Sequence, residues 1–141
     1  MNYKIISKYI KNLDFKIPNP KTFSLLSKNI SNYKINIDIK SNQLKEKVIE
    51  VETTLKLNLI KEDVNNEKIN TKIVYSTIIE IIDVLTDKKE IEKIILISVP
   101  TEIYSEIRKI FIFMFERCGF KDIKISDKVD FQKLYNQKKI Q

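Results

Sequence analysis

Catalysis needs side chains that exchange protons, bind metals or attack electrophiles, and this chain of 141 residues is sparing in them. It has no histidine, which removes Ser-His-Asp and Cys-His nucleophiles of the usual kind and any His-liganded zinc. Its one cysteine, Cys118, excludes an internal disulfide, a thiolate zinc cage and an iron–sulfur cluster built by this chain alone. A lone thiol also fits a reducing cytoplasm, and on an apolar helical stripe it reads as a small core residue rather than a reactive group. Its one glycine, Gly119, lies late in the chain, so the P-loop and the dinucleotide fingerprint are both absent. The carboxylates are dispersed, and Glu90 and Glu92 read as a solvated helix surface rather than a metal site. The expectation is a protein that is not an enzyme and carries no cofactor.

The remaining chemistry is charge. Lys+Arg 26 against Asp+Glu 19 gives +7, which ordinarily suggests nucleic acid or an anionic membrane surface. The basic residues, however, are 24 lysines and only two arginines, Arg108 and Arg117. Phosphate and base recognition favours the planar fork of arginine. Lys34, Lys40, Lys56 and Lys72 sit singly among carboxylates. Abundant isoleucine and asparagine with no alanine point to drift in an AT-rich bacterial genome. A solvated lysine-rich surface is therefore favoured, with a basic nucleic-acid-binding module as an alternative. No apolar run approaches the roughly 20 residues of a membrane span. The opening Met1–Asn12 lacks the continuous apolar stretch of a signal peptide.

The elements that position these residues follow from periodicity. Alternation from Leu13 to Ile17 predicts a strand that Pro18-Asn19-Pro20 ends. A loop follows with an apolar knot of Phe23, Leu25 and Leu26, which either caps the core edge or contacts a client or partner. Tyr33 to Lys40 alternates without fault, with Tyr33, Ile35, Ile37 and Ile39 on one face, as a half-buried antiparallel strand does. Ser41-Asn42-Gln43 supplies turn chemistry. Glu50 to Leu59 alternates again, and Ile69 to Ile82 is a fourth strand. After Asp87, Ile91, Ile94 and Ile95 suggest a short helix. Pro100 then opens a long helix that Gly119 closes as a left-handed cap. A last short helix begins near Asp130, with Phe131, Leu134 and Tyr135 as its docking face, and frays from Asn136 to Gln141. The long helix is apolar over more than the arc needed to pack once on a sheet, so it is expected to meet a partner subunit as well.

Four strands followed by helices predict a single α+β domain over residues 1–141. It has a four-stranded antiparallel sheet packed with a long helix and a short C-terminal helix.

Specific residues carry a resemblance. Tyr9-Ile10-Lys11-Asn12-Leu13-Asp14-Phe15 with Pro18-Asn19-Pro20, then Ser41-Asn42-Gln43-Leu44 with Val48-Ile49-Glu50-Val51, form the first part. Val99-Pro100 with Arg108, Cys118-Gly119-Phe120, and Val129-Asp130-Phe131 with Leu134-Tyr135 form the second. In order and spacing, from Tyr9 to Tyr135, they resemble SecB, the bacterial protein-export chaperones.

The resemblance implies a cytoplasmic homotetramer, a dimer of dimers, in which paired chains pool their strands into eight-stranded sheets with the long helices between. It implies no catalytic activity, no cofactor, no nucleic acid and no direct membrane insertion. Such a protein is a holdase: it binds unfolded secretory precursors in hydrophobic grooves, keeps them competent for translocation and delivers them to the motor ATPase SecA. By position, the client groove falls on Phe23, Leu25, Leu26, Tyr33, Ile35 and Ile37. The contact between copies falls on Tyr104, Phe111, Ile112 and Phe115. The SecA-docking face keeps Asp14, Asp38, Glu50 and Glu52, but Asn12, Lys16 and Lys72 stand where the family has acidic residues. Those reversals leave three readings: co-adapted partner charges, weak docking, or a SecB-like chaperone dedicated to another partner, such as an antitoxin.

Overall fold

The computed structural model describes residues 2–28, 33–59, 70–82, 87–121 and 123–140. Strands β1 (Tyr3–Lys16), β2 (Tyr33–Lys45), β3 (Val48–Leu59) and β4 (Asn70–Ile81) form one antiparallel sheet in the order β1-β4-β3-β2. β1 starts ten residues before the predicted Leu13, and the reason it was cryptic is geometric. Its register against β4 slips at Ile6 and again at Lys11, each an extra residue of a β-bulge. Each bulge flips the side-chain parity, so Tyr3 and Ile5, then Lys8 and Ile10, then Leu13 and Phe15 share one face. A strand that changes parity twice shows no simple period of two.

The turn between β2 and β3 also differs from expectation. Ser41, Asn42 and Gln43 lie within β2, paired with Val51, Glu50 and Ile49, and the chain reverses at Glu46-Lys47. Lys47 has φ 64°, a left-handed conformation that a lysine adopts here to close a two-residue turn.

The segment expected to be a loop is helix α1 (Pro20–Lys28). Proline suits its first turn, where an N–H would have no partner. Asn19 caps it, its Oδ1 accepting from the Thr22 N–H at 2.8 Å. Helix α2 (Lys88–Lys93) is capped in the same way by Asp87, which accepts from the Glu90 N–H at 2.8 Å. It runs through one π-helical stretch, Ile94–Ser98, into α3 (Val99–Arg117) without a break. There the Val99 N–H reaches back five residues to the Ile94 carbonyl. The widened turn accommodates Pro100, whose ring would crowd the Leu96 carbonyl in a regular α-helix.

Gly119, at φ 97°, ends α3 as expected. The Phe120 N–H bonds the Phe115 carbonyl, and the Gly119 N–H bonds that of Glu116, both at 3.0 Å. Helix α4 (Phe131–Ile140) keeps helical backbone through Ile140, beyond the expected fraying point.

The core lies between one face of the sheet and α3. Val51, Leu55, Ile73 and Ile79 on β3 and β4 meet Ile103, Ile107, Phe111 and Phe115. Phe15, Phe111, Phe115 and Phe120 stack edge to face at centroid distances of 5.0–5.7 Å. Residues 123–129 are strapped to α3: Tyr104 donates to the Ser126 carbonyl at 2.7 Å and Arg108 Nε to the Ile125 carbonyl at 3.1 Å. Arg108 also pairs with Asp127 at 2.8 Å.

Candidate functional site

Three elements leave a gap beside the core. β2 is an edge strand, and its odd-numbered residues face the helical layer, so Ile37 and Ile39 project there half-buried. The π-helical stretch brings Leu96 and Ile95 to one side. Helix α4, anchored by the buried Phe131 and Tyr135, forms the other, with Leu134 exposed. Ile37, Ile39, Leu96, Phe131, Leu134, Tyr135 and Gln137 line a cavity of about 230 Å³. A second hollow of about 330 Å³ adjoins it, lined by Ile39, Ser41, Lys88, Ile91, Glu92, Ile95 and Leu96. Ile39 and Leu96 border both, so the two hollows adjoin along β2 as a largely apolar groove with charged groups at the α2 end. Such a groove holds apolar side chains without directional chemistry, since burial is proportional to area and tolerant of sequence.

The expected client residues divide. Ile37 floors the groove. Ile35 is half-buried against the core but lines neither hollow. Phe23 is a core-edge residue, its ring 4.7 Å from that of Phe120 and directly under Gly119. The side chains of Leu25, Leu26 and Tyr33 lie outside the described residues. Sequence reasoning missed Ile39, Leu96 and the α4 wall as groove residues. Unbroken alternation to Ile39 was the available signal.

Of the residues expected between copies, Tyr104, Phe111 and Phe115 instead lie inside the chain's own core, with 5%, 0% and 1% exposure. Their rings are spent on Phe131, Phe15 and Phe120, so they have no surface to offer a partner. Ile112 is half-buried. Exposed apolar residues lie elsewhere, among them Phe113 on α3, with Arg117 stacked over its ring, and Ile6, Tyr9, Ile10 and Leu13 on edge strand β1.

The carboxylates expected to dock a basic partner are on the sheet face away from α3, and most are already engaged. Glu50 is buried; it accepts from Ser76 Oγ at 2.7 Å and Asn42 Nδ2 at 3.1 Å, and pairs with Lys11 at 3.2 Å. The Ser76 and Asn42 hydrogen bonds hold its carboxyl below the ordinary value. Lys11, the second bulge residue, also pairs with Glu52 at 2.5 Å, and these two carboxylates raise its ammonium above the ordinary value. Asp14 accepts from Asn70. Asp38 alone of the four is exposed and without an ion pair among the described residues. The described residues hold no group of three or more His, Cys, Asp or Glu able to bind a metal. No helix among them is long and apolar enough to cross a membrane.

The family model for SecB, the preprotein translocase subunit, matches residues 1–141. The chain belongs to the SecB family. It is 39% identical over 137 residues to a protein named for SecB-type protein export in Pelagibacter ubique, covering 97% of this chain and 96% of that one. Among solved structures, it resembles the SecB-like chaperone of Mycobacterium tuberculosis in complex with a peptide from an antitoxin. That match has a TM-score of 0.65 at 9% identity, over 91% of this chain and 88% of the other. At such identity the likeness concerns the fold, and a SecB sheet of four antiparallel strands with a long helix and a short C-terminal helix is what this chain has.

Proposed function

We propose that this SecB-family chain is a cytoplasmic holdase. It takes up exposed apolar segments of unfolded precursors in the groove floored by Ile37 and Ile39 and keeps them from aggregating before export. The observation that carries the reading is a largely apolar groove of two adjoining hollows beside an edge strand, in a chain whose sequence has no nucleophile–base pair built on histidine. Shielding apolar side chains of a non-native chain removes the surface through which such chains aggregate. No nucleotide is needed for holding, because burying apolar surface is itself favourable. Delivery to SecA and assembly as a homotetramer belong to the same proposal. Assembly is supported by the exposed Ile6, Tyr9, Ile10 and Leu13 on an edge strand, an arrangement that monomers avoid.

The test is light scattering from a chemically unfolded substrate diluted into buffer without ATP. The wild-type chain should slow aggregation at stoichiometric amounts. Ile37→Asp, which puts a charge on a half-buried groove floor, should lose most of that effect while keeping its secondary structure. Equal protection by the variant would move the client site elsewhere; no protection by either would end the holdase reading.

A second reading is a chaperone dedicated to one partner. It is favoured by the lysines at family acidic positions and by the antitoxin peptide on the Mycobacterium tuberculosis relative. One dominant partner recovered from extract of the source cell would favour it, whereas a spread of precursors would favour the first.

A further inference from the structure

The sheet face opposite α3 has a strongly basic end, crossing all four strands, where β1 and β3 end and β2 and β4 begin. Two neighbouring cross-strand rows lie there. In the outer row Lys16 is opposite Asn70 and Lys34 is opposite Asn58; in the inner row Lys72 lies between Asp14 and Lys56. Lys56 and Lys72 are thus direct cross-strand neighbours, a like-charge arrangement that costs a sheet stability on its own. The one carboxylate in these rows, Asp14, is opposite Lys72 in register and accepts from the neutral Asn70 amide, so it offsets one of the four positive charges. None of the four lysines is in an ion pair among the described residues, while Glu50, Glu52 and Glu80 farther along the face are paired with Lys11 and Lys4.

We propose that this end of the face docks an extended acidic segment of a partner protein. Rows two residues apart along a strand are about 6.6–6.8 Å apart, the interval at which an extended peptide repeats side chains on one face. Asp or Glu at alternate positions would therefore meet first the Lys56–Lys72 pair and then the outer row flanked by Lys16 and Lys34, adding counter-charge beyond that of Asp14. Lysine suits this because its ammonium is a compact charge that adapts to a carboxylate; the arginine forks that grip phosphates are absent from these rows. A basic tail would meet repulsion here. The inference stands on charge and register, independently of client capture in the groove, which concerns the opposite face; it competes with SecA docking, whose expected carboxylates share this face.

Fluorescence anisotropy on the full chain tests it, using three labelled probes of equal length. They are a peptide alternating Glu and Ser, one alternating Lys and Ser, and a single-stranded oligonucleotide. The Glu peptide should bind with an affinity that falls steeply with salt. The variant Lys16→Gln/Lys34→Gln/Lys56→Gln/Lys72→Gln should weaken it roughly tenfold. Should that variant fold poorly, Lys56→Gln alone, which relieves the opposed pair, should fold normally and still weaken binding measurably. Equal binding of the Lys peptide, tighter binding of the oligonucleotide, or an unchanged affinity in the folded variants would overturn the proposal.

Discussion

At the scale of single residues, the polar network around Glu50 explains how a carboxylate survives burial in the middle of a sheet face. The bulge at Lys11 inserts an ammonium where regular pairing would have placed none, and Ser76 and Asn42 satisfy the remaining lone pairs. Glu50 and Glu106 are both held below the ordinary carboxyl value of 4.5: Glu50 mainly by Ser76 and Asn42, Glu106 by Lys8 and Tyr75. A group whose folded value is depressed stabilises the fold above its unfolded value and loses that contribution as pH falls through the folded one. Chemical denaturation midpoints should therefore decline below about pH 4.5, and Glu50→Gln should flatten that decline while costing about 1 kcal/mol near neutrality. In the apolar core, Phe111 is fully buried between Phe15 and Phe115. Phe111→Ala should cost about 3–5 kcal/mol in urea denaturation, because an aromatic-sized cavity on a sheet has little with which to collapse.

At the scale of elements, the joints matter as much as the elements themselves. The π-helical stretch lets one continuous helix pass Pro100 and at the same time brings Ile95 and Leu96 to the groove. The end of α3 shows similar double use. Gly119 adopts a left-handed φ that only glycine takes freely, and its bare Cα faces the ring of Phe23 on α1. A Cβ there would lie 3.1 Å from that ring. Gly119→Ala should thus destabilise the fold by about 1–2 kcal/mol, more than backbone strain alone. Thermal or urea unfolding monitored by circular dichroism checks the size. Phe23→Ala in the same background should recover part of the loss, which separates the contact from the strain.

At the scale of the whole molecule, the sheet has one face committed to the helices and the other solvated and charged, with two open edges. Edge β1 carries Ile6, Tyr9, Ile10 and Leu13 at 40–51% exposure, and edge β2 floors the groove with Ile37 and Ile39. On the proposed reading, self-association at β1 and client capture at β2 use opposite edges, so neither would block the other. Solution mass by light scattering should read four times the 16.7 kDa chain. Tyr9→Lys with Leu13→Lys should lower it by removing apolar surface and adding like charge at the contact. A wild-type chain that remains a monomer at high concentration would remove the basis for that division.

Much of this architecture was legible in the sequence because its causes are local. The parity of β2 and β3, the breadth of the α3 stripe, the Gly119 cap and the absence of histidine chemistry depend only on neighbouring residues or on composition. The order of residues and turns is by itself enough to point to SecB. What escaped depends on contacts between distant segments. The bulges that scramble β1 are visible only against β4, and the helix beginning at Pro20 is disguised by two prolines that read as breakers. Whether Tyr104, Phe111 and Phe115 face a partner or their own sheet is undecidable from a wheel, since burial by self and burial by another copy leave the same apolar pattern. Side-chain spacing thus set what could be buried, while tertiary packing alone decided against what, because a groove is the space that β2, the π-helical stretch and α4 leave unfilled between them.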